Sequence, residues 1–215
     1  MDEGRQTSRI TKEPPTRFSM SSVLAAPEPE FPLTRISVAQ YHRMIDSGAF
    51  GEEDRVELLE GLVVDKMPKK RGHSLATRRI DRGLTAVLPE GWDVLNQEPI
   101  TLLDSEPEPD VFVVRGIGDE YREHPGPGDV LLIAEVADTS LALDRRKGQI
   151  YARARIPVYW LVNLPQRCIE VYTAPRGAGG RANYSKQVIY RVGDTIPVQI
   201  AGRRVAGIPV ADLLP

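Results

Sequence analysis

Val130-Leu131-Leu132-Ile133-Ala134-Glu135-Val136, then the segment Leu143 to Arg155, then Ile156-Pro157-Val158-Tyr159-Trp160-Leu161-Val162 decide the fold class of this chain. The two outer runs are nearly unbroken apolar stretches of strand length, as expected for strands buried on both faces of a sheet. The segment between them is rich in helix formers, and Pro157 ends it because the residue before a proline is driven out of the helical region. Strand, helix, strand implies a right-handed crossover. Glu135 is out of place in the first run, since a carboxylate between Ala134 and Val136 must be paired or must bind something.

Working outward, Val111-Phe112-Val113-Val114 is a third apolar run, opened by Pro109-Asp110, and is expected to neighbour Val130 to Val136 in the sheet. Upstream, Ser37 and Gln40 have capping-box spacing, Val38, Tyr41 and Ile45 form a helical stripe, and Gly48 suits the stop. Arg55 to Asp65 reads as a β-hairpin turning at Glu60-Gly61, residues 73 to 88 as a helix with Pro89 beyond it, and Trp92 to Leu103 as strand. Downstream, Cys168 to Thr173, Lys186 to Tyr190 and Thr195 to Ile200 read as antiparallel strands between glycine-rich turns. Residues 1 to 33 mix Ser, Thr, Pro, Glu and Arg without period and are expected to be a disordered N-terminal arm, with 34 to 215 a single domain. Met20 lies within that arm and could serve as a start; an intact mass retaining Met1 or Asp2 would exclude this.

With 215 residues, 41% of them hydrophobic and 27% charged, the chain is long enough for one proper core. A formal charge of -2 excludes a generic polybasic nucleic-acid binder but leaves room for a local basic groove beside an acidic site. The lone Cys168 can form no intramolecular disulfide and no cysteine-rich zinc site, which favours a reducing, cytoplasmic setting and a buried small side chain. No apolar stretch reaches the ~20 residues needed to span a bilayer, so no membrane partner is expected.

Asp110 and Glu135 can converge only if their strands pair antiparallel or the sheet folds one end onto the other. Two carboxylates brought together repel, and a divalent cation turns that repulsion into binding. Oxygen ligands with no His or Cys pair nearby select Mg²⁺ or Mn²⁺ over zinc. On the expected helix, Asp144, Lys147 and Tyr151 fall at i, i+3 and i+7, so they share a face from which Lys147 can reach the strand ends. Two acids and a lysine in this arrangement suit phosphodiester hydrolysis, where developing negative charge needs stabilisation. Each residue also has a plainer reading. Pro-Asp is common turn chemistry, Arg145-Arg146-Lys147 is ordinarily a solvated face, and Tyr151 and Trp160 are ordinarily core aromatics.

Pro109-Asp110, Glu135-Val136, Asp144, Lys147, Tyr151-Ala152 and Ile156 to Trp160, with Arg55 to Gly61, Met67-Pro68 and His73 upstream, resemble the Uma-type putative restriction endonuclease family. That family is a branch of the PD-(D/E)xK nuclease superfamily, and the likeness runs from about Ser37 to Val210. It implies an α/β fold: a restriction-endonuclease-like core with a central mixed β-sheet flanked by helices and additional antiparallel strands. It further implies Asp110 and Glu135 as ligands of Mg²⁺ or Mn²⁺ with the carbonyl of Val136, Glu57 completing the shell directly or through water, and Lys147 as catalytic lysine. His73 and Tyr151 are secondary candidates. The superfamily's usual lysine position is Ala137 here, Val158 stands where the family often has an acid, and Arg155 where it often has glycine. The function so implied is a metal-dependent endonuclease acting on nucleic acid, DNA foremost. The alternative is a catalytically silent nucleic-acid-binding or interaction module on the same fold, and a carboxylate-pair glycosidase ranks last because it leaves Lys147 without a role. Lys66, Lys69, Lys70, Arg71, Arg78, Arg79, Arg145 and Arg146 are candidates for backbone phosphates, and a homodimer is left open.

Overall fold

Ser37 starts helix α1 (Val38–Asp46) with both halves of a capping box: Gln40 N–H donates to Ser37 Oγ at 3.2 Å and Ser37 N–H to Gln40 Oε1 at 2.8 Å. The computed structural model describes residues 32–51, 53–200 and 202–215, so the expected arm lies outside the described residues except for its last two positions. Only Tyr41 of α1 is buried; Ile45 of the expected stripe is 47% exposed, because one edge alone of this short helix is covered. Strands β1 (Val56–Leu59) and β2 (Leu62–Asp65) form the expected hairpin. Glu60 and Gly61 both have positive φ, 51° and 76°, the requirement of a type I′ turn.

Helix α2 (Arg71–Thr85) begins two residues before the expected position and ends three before it, and Val87 and Leu88 still pack on the core from the turn that follows. Strand β3 (Trp92–Leu95) is far shorter than expected. Gln97 turns to φ 56°, Pro99, Pro107 and Pro109 remove backbone donors, and Leu103 is 93% exposed, so no strand continues there. Strands β4 (Val111–Arg115) and β5 (Val130–Ala137) follow, then helix α3 (Leu141–Arg153), shifted two residues upstream of its expected bounds because Arg155 adopts φ 65° ahead of Pro157. The chain continues through β6 (Val158–Asn163), β7 (Cys168–Arg176), β8 (Asn183–Arg191), β9 (Thr195–Ile200), β10 (Arg203–Pro209) and α4 (Val210–Leu213). β10 was not expected; Arg203, Arg204 and Gly207 hide its period, and it pairs with β9 through a register shift.

The central sheet has the order β3-β4-β5-β6-β7-β8, with β5 and β6 parallel and every other neighbouring pair antiparallel. It is the expected mixed sheet flanked by helices. All of β5 is buried, and its residues alternate between two cores. Leu132, Ala134 and Val136 pack with Ala76, Ile80 and Leu84 of α2, whereas Ile133 and Ala137 pack with Ile150 and Tyr151 of α3. Glu135 therefore projects to the α3 side. Gly148 lets α3 settle on β6, since a Cβ there would lie 2.8 Å from the Tyr159 ring. Cys168 is fully buried, as expected of a small core side chain. Among the described residues no helix is long and apolar enough to cross a membrane.

The β1–β2 turn fixes the hairpin that carries Glu57. A Cβ on Gly61 would sit 2.7 Å from Arg35 Cβ and 2.9 Å from the Ile36 carbonyl oxygen, at a φ that L residues disfavour. Gly61→Ala is expected to lower unfolding free energy by roughly 1–3 kcal/mol, combining strain and overpacking, as read by urea denaturation; an unchanged midpoint would contradict this account of the turn.

Candidate functional site

The antiparallel register of β4 and β5 pairs Val111 with Ala134, so Asp110 and Glu135 are the next facing positions. The condition for their convergence is met. Asp110 N–H lies 3.4 Å from Glu135 Oε2, and Val136 N–H donates to Asp110 Oδ2 at 2.9 Å. β4's pairing stops at Val111, which frees the β5 edge at Val136 for this side chain. In extended backbone the N–H and C=O of one residue face the same edge, so the Val136 carbonyl is turned toward the Asp110 side as well.

Two helices, the β1–β2 hairpin and the segment before α2 bring the remaining groups. His73, in the first turn of α2, places Nε2 3.0 Å from Asp110 Oδ2. The ring thereby holds the acid in place. Lys69 Nζ lies 3.4 Å from Asp110 Oδ1. From α3, Lys147 Nζ contacts Glu135 Oε1 at 2.7 Å and Glu57 Oε2 at 3.2 Å, and Tyr151 donates its hydroxyl to Glu135 Oε1 at 2.6 Å. Glu57 is buried on the β1–β2 hairpin and also accepts from Glu108 N–H at 3.1 Å. Asp144 is buried too, its Oδ2 accepting from Ser140 Oγ at 2.6 Å.

One oxygen of each principal acid is thus fully engaged, Asp110 Oδ2 by two donors and Glu135 Oε1 by two more. Asp110 Oδ1 and Glu135 Oε2 have only long contacts. Among the described residues no group of three or more His, Cys, Asp or Glu side chains is arranged to hold an ion by itself. Mg²⁺ is commonly bound by one or two carboxylates with the rest of its shell from water and phosphate, and this donor set of hard oxygens fits such an ion.

A model of the Uma2 family, described as putative restriction endonuclease, matches residues 38–209. The chain belongs to the Uma2 family. A crystal structure of a putative nuclease of the DUF820 group from Anabaena variabilis shares its fold, with a TM-score of 0.64 at 14% sequence identity, covering 83% of this chain and 97% of that one. No curated protein matches the chain in sequence.

The basic residues of this Uma2 chain divide sharply. Lys66 pairs with Glu108, Lys70 with Asp138 at 3.2 Å, Arg145 with the buried Glu170 at 3.0 Å, and Arg146 with Glu60, while Arg79 donates to the Leu214 carbonyl. Arg71 and Arg78 are exposed and without a partner among the described residues. The acids that engage the others were not apparent in the sequence, because Glu60, Asp138 and Glu170 are distant from them along the chain. Sequence reasoning also missed Glu106, buried against His42 at 2.7 Å and Thr101 at 3.0 Å. Its setting in Glu106-Pro107-Glu108-Pro109 carries only a loop signal.

Electrostatically the Uma2 site is strained toward negative charge. Glu135 is pushed up to about 8, first by burial and then by Asp110, Asp144 and Glu57, against the lowering effect of Lys147. Asp144 rises to about 6 for the same main reason. Burial also works to raise Asp110, but the His73 hydrogen bond and charge, Val136 N–H and Lys69 together hold it below its ordinary value. Lys147 stays protonated well above the ordinary lysine range, since the acids around it outweigh its own burial.

A raised carboxyl pKa means the folded protein binds more protons than the unfolded chain, so stability falls as pH rises between 4.5 and about 8. Asp144 has the same sign but finishes titrating near 6. In chelator, between pH 6 and 8.5, Glu135→Gln should gain stability relative to the parent with a slope of at most about 1.4 kcal/mol per pH unit. Parallel pH profiles by denaturant titration would remove Glu135 as the titrating group.

Proposed function

We propose that this Uma2 protein hydrolyses phosphodiester bonds in nucleic acid, with DNA as the substrate, and that Asp110, Glu135 and the Val136 carbonyl hold a Mg²⁺ or Mn²⁺ ion. The observation that carries the reading is the meeting of Asp110, Glu135, Glu57 and Lys147, residues from separate elements, at one end of β5. Burying three acids and a lysine together has no packing benefit comparable to its desolvation cost, whereas a site for an anionic ester and its counter-ion uses all of them. When bound, such an ion neutralises phosphate charge and supplies a water of lowered pKa.

The chain's own groups then have distinct tasks. Asp110 and Glu135 present their less engaged oxygens, and His73 and Tyr151 fix the orientation of each carboxylate by binding the opposite oxygen. Lys147, held by Glu135 and Glu57, directs a permanent positive charge at the attacking water and at the charge that develops on the phosphorus oxygens. Glu57 keeps Lys147 in place and is available to a water beside it. Arg71 and Arg78, being unpaired among the described residues, are the foremost candidates for neighbouring backbone phosphates, with affinity that falls steeply with salt.

Incubation with supercoiled plasmid and with single-stranded and duplex oligonucleotides, in Mg²⁺ or Mn²⁺, tests the proposal. The parent should cleave, and Lys147→Ala should lower kcat by about 100-fold or more while remaining folded by circular dichroism. Equal activity in both would take Lys147 out of the mechanism. A parent inactive on every substrate, yet still retaining oligonucleotides in a shift assay, would instead favour a silent binding module.

A further inference from the structure

We propose that Lys69 is an exchangeable counter-charge: without a divalent ion its ammonium occupies the cation position on Asp110, and the ion displaces it toward the substrate phosphate. The inference rests on the reading of Asp110 and Glu135 as ion ligands.

Two lysines reach the acids of this site, and they are held differently. Lys147 is rooted in the middle of α3, its side chain is 6% exposed, and it bridges two carboxylates at 2.7 and 3.2 Å. Lys69 lies in the irregular segment just before α2, its side chain is 24% exposed, and it contacts one carboxylate at 3.4 Å. Charge-assisted N–H to O contacts are ordinarily near 2.7–2.9 Å, so the Lys69 contact is a loose one. Its site on the acid is the informative part. Asp110 Oδ2 already accepts from His73 and Val136 N–H, which leaves Oδ1 as the oxygen with spare capacity, and Lys69 is what lies on it.

An ion taken up by Asp110 through that oxygen and an ammonium in contact with it compete, because both are cations drawn to the same oxygen and they repel each other there. Linkage then requires that Lys69 lower the apparent affinity for the ion, and that the ion release Lys69. Once released, the ammonium stays tethered near Asp110, where it would serve an anionic substrate as a mobile point charge. Lys70 is the internal control. It is adjacent in sequence and carries the same charge, but it is 65% exposed and pairs with Asp138, so removing it breaks a screened surface pair and leaves the Lys69–Asp110 contact untouched.

Titration calorimetry with Mn²⁺ on the full chain, comparing the parent with K69M, K70M and D110N in 0.15 M salt, provides the test. K69M should bind Mn²⁺ about 5-fold or more tightly than the parent, K70M should change by less than about 2-fold, and D110N should lose binding. Amine labelling read by mass spectrometry should show Lys69 modified faster on adding Mn²⁺, with Lys70 unchanged. K69M binding no tighter than the parent, or Lys69 labelling that fails to rise with Mn²⁺, would overturn the exchange while leaving the ion site intact. If neither parent nor K69M binds Mn²⁺, or D110N binds as tightly as the parent, the ion-ligand reading itself fails and the exchange with it.

Discussion

An ionised carboxylate in a fully buried strand costs roughly several kcal/mol unless its surroundings compensate it, and Glu135 is such a residue near the C-terminal end of β5. The surrounding elements at this end of the sheet are organised around that cost. Tyr151 and Lys147 both approach one oxygen of Glu135, and Lys147 in turn needs the second anion, Glu57, that the β1–β2 hairpin brings to it. Ala137, small and two residues beyond Glu135, lies on the same face of the strand and leaves the space open for a lysine rooted elsewhere. α3 covers that face, and Gly148 lets it lie close enough on the Tyr159 ring for Lys147 to span the gap.

Asp110 solves a different problem. It stands where β4 ceases to pair with β5, and its side chain takes up the backbone donor of Val136 that the missing partner would have used. The Val136 carbonyl faces the same unpaired edge as its N–H. His73 secures the acid from α2, so the relative placement of α2, β4 and β5 is coupled through one carboxylate. The result is a pair of acids with opposite proton affinities: Glu135 is raised by burial and like charge, and Asp110 is held low by donors and cations. Neighbouring acids driven apart in this way are characteristic of sites that manage charge during a reaction.

Much of this was legible in the sequence where burial leaves a simple trace. The apolar runs of β4, β5 and β6 marked the sheet, Pro157 marked the end of α3, and Glu135 stood out because nothing polar belongs in such a run. Lys147 could be assigned to the strand ends because helical spacing put it on one face with Asp144 and Tyr151. What was hidden depends on contacts between distant residues. Glu57 reads as an ordinary hairpin acid until Lys147 is placed beside it. Arg145, Arg146 and Lys70 read as a free basic face until Glu170, Glu60 and Asp138 are found to engage them. β10 is masked by its own arginines and glycine, and the stretch after β3 has strand-like residues that prolines keep irregular.

On the reading proposed above, Asp110 and Glu135 form one cation site served by Lys147. Anomalous diffraction from crystals soaked in Mn²⁺ tests it most directly. The expected result is a single strong peak bounded by Asp110 Oδ1, Glu135 Oε2 and the Val136 carbonyl, with the Lys147 ammonium still bound to Glu135 beside it. A peak elsewhere with none between these acids, or carboxylates pointing to opposite faces of the sheet, would contradict it.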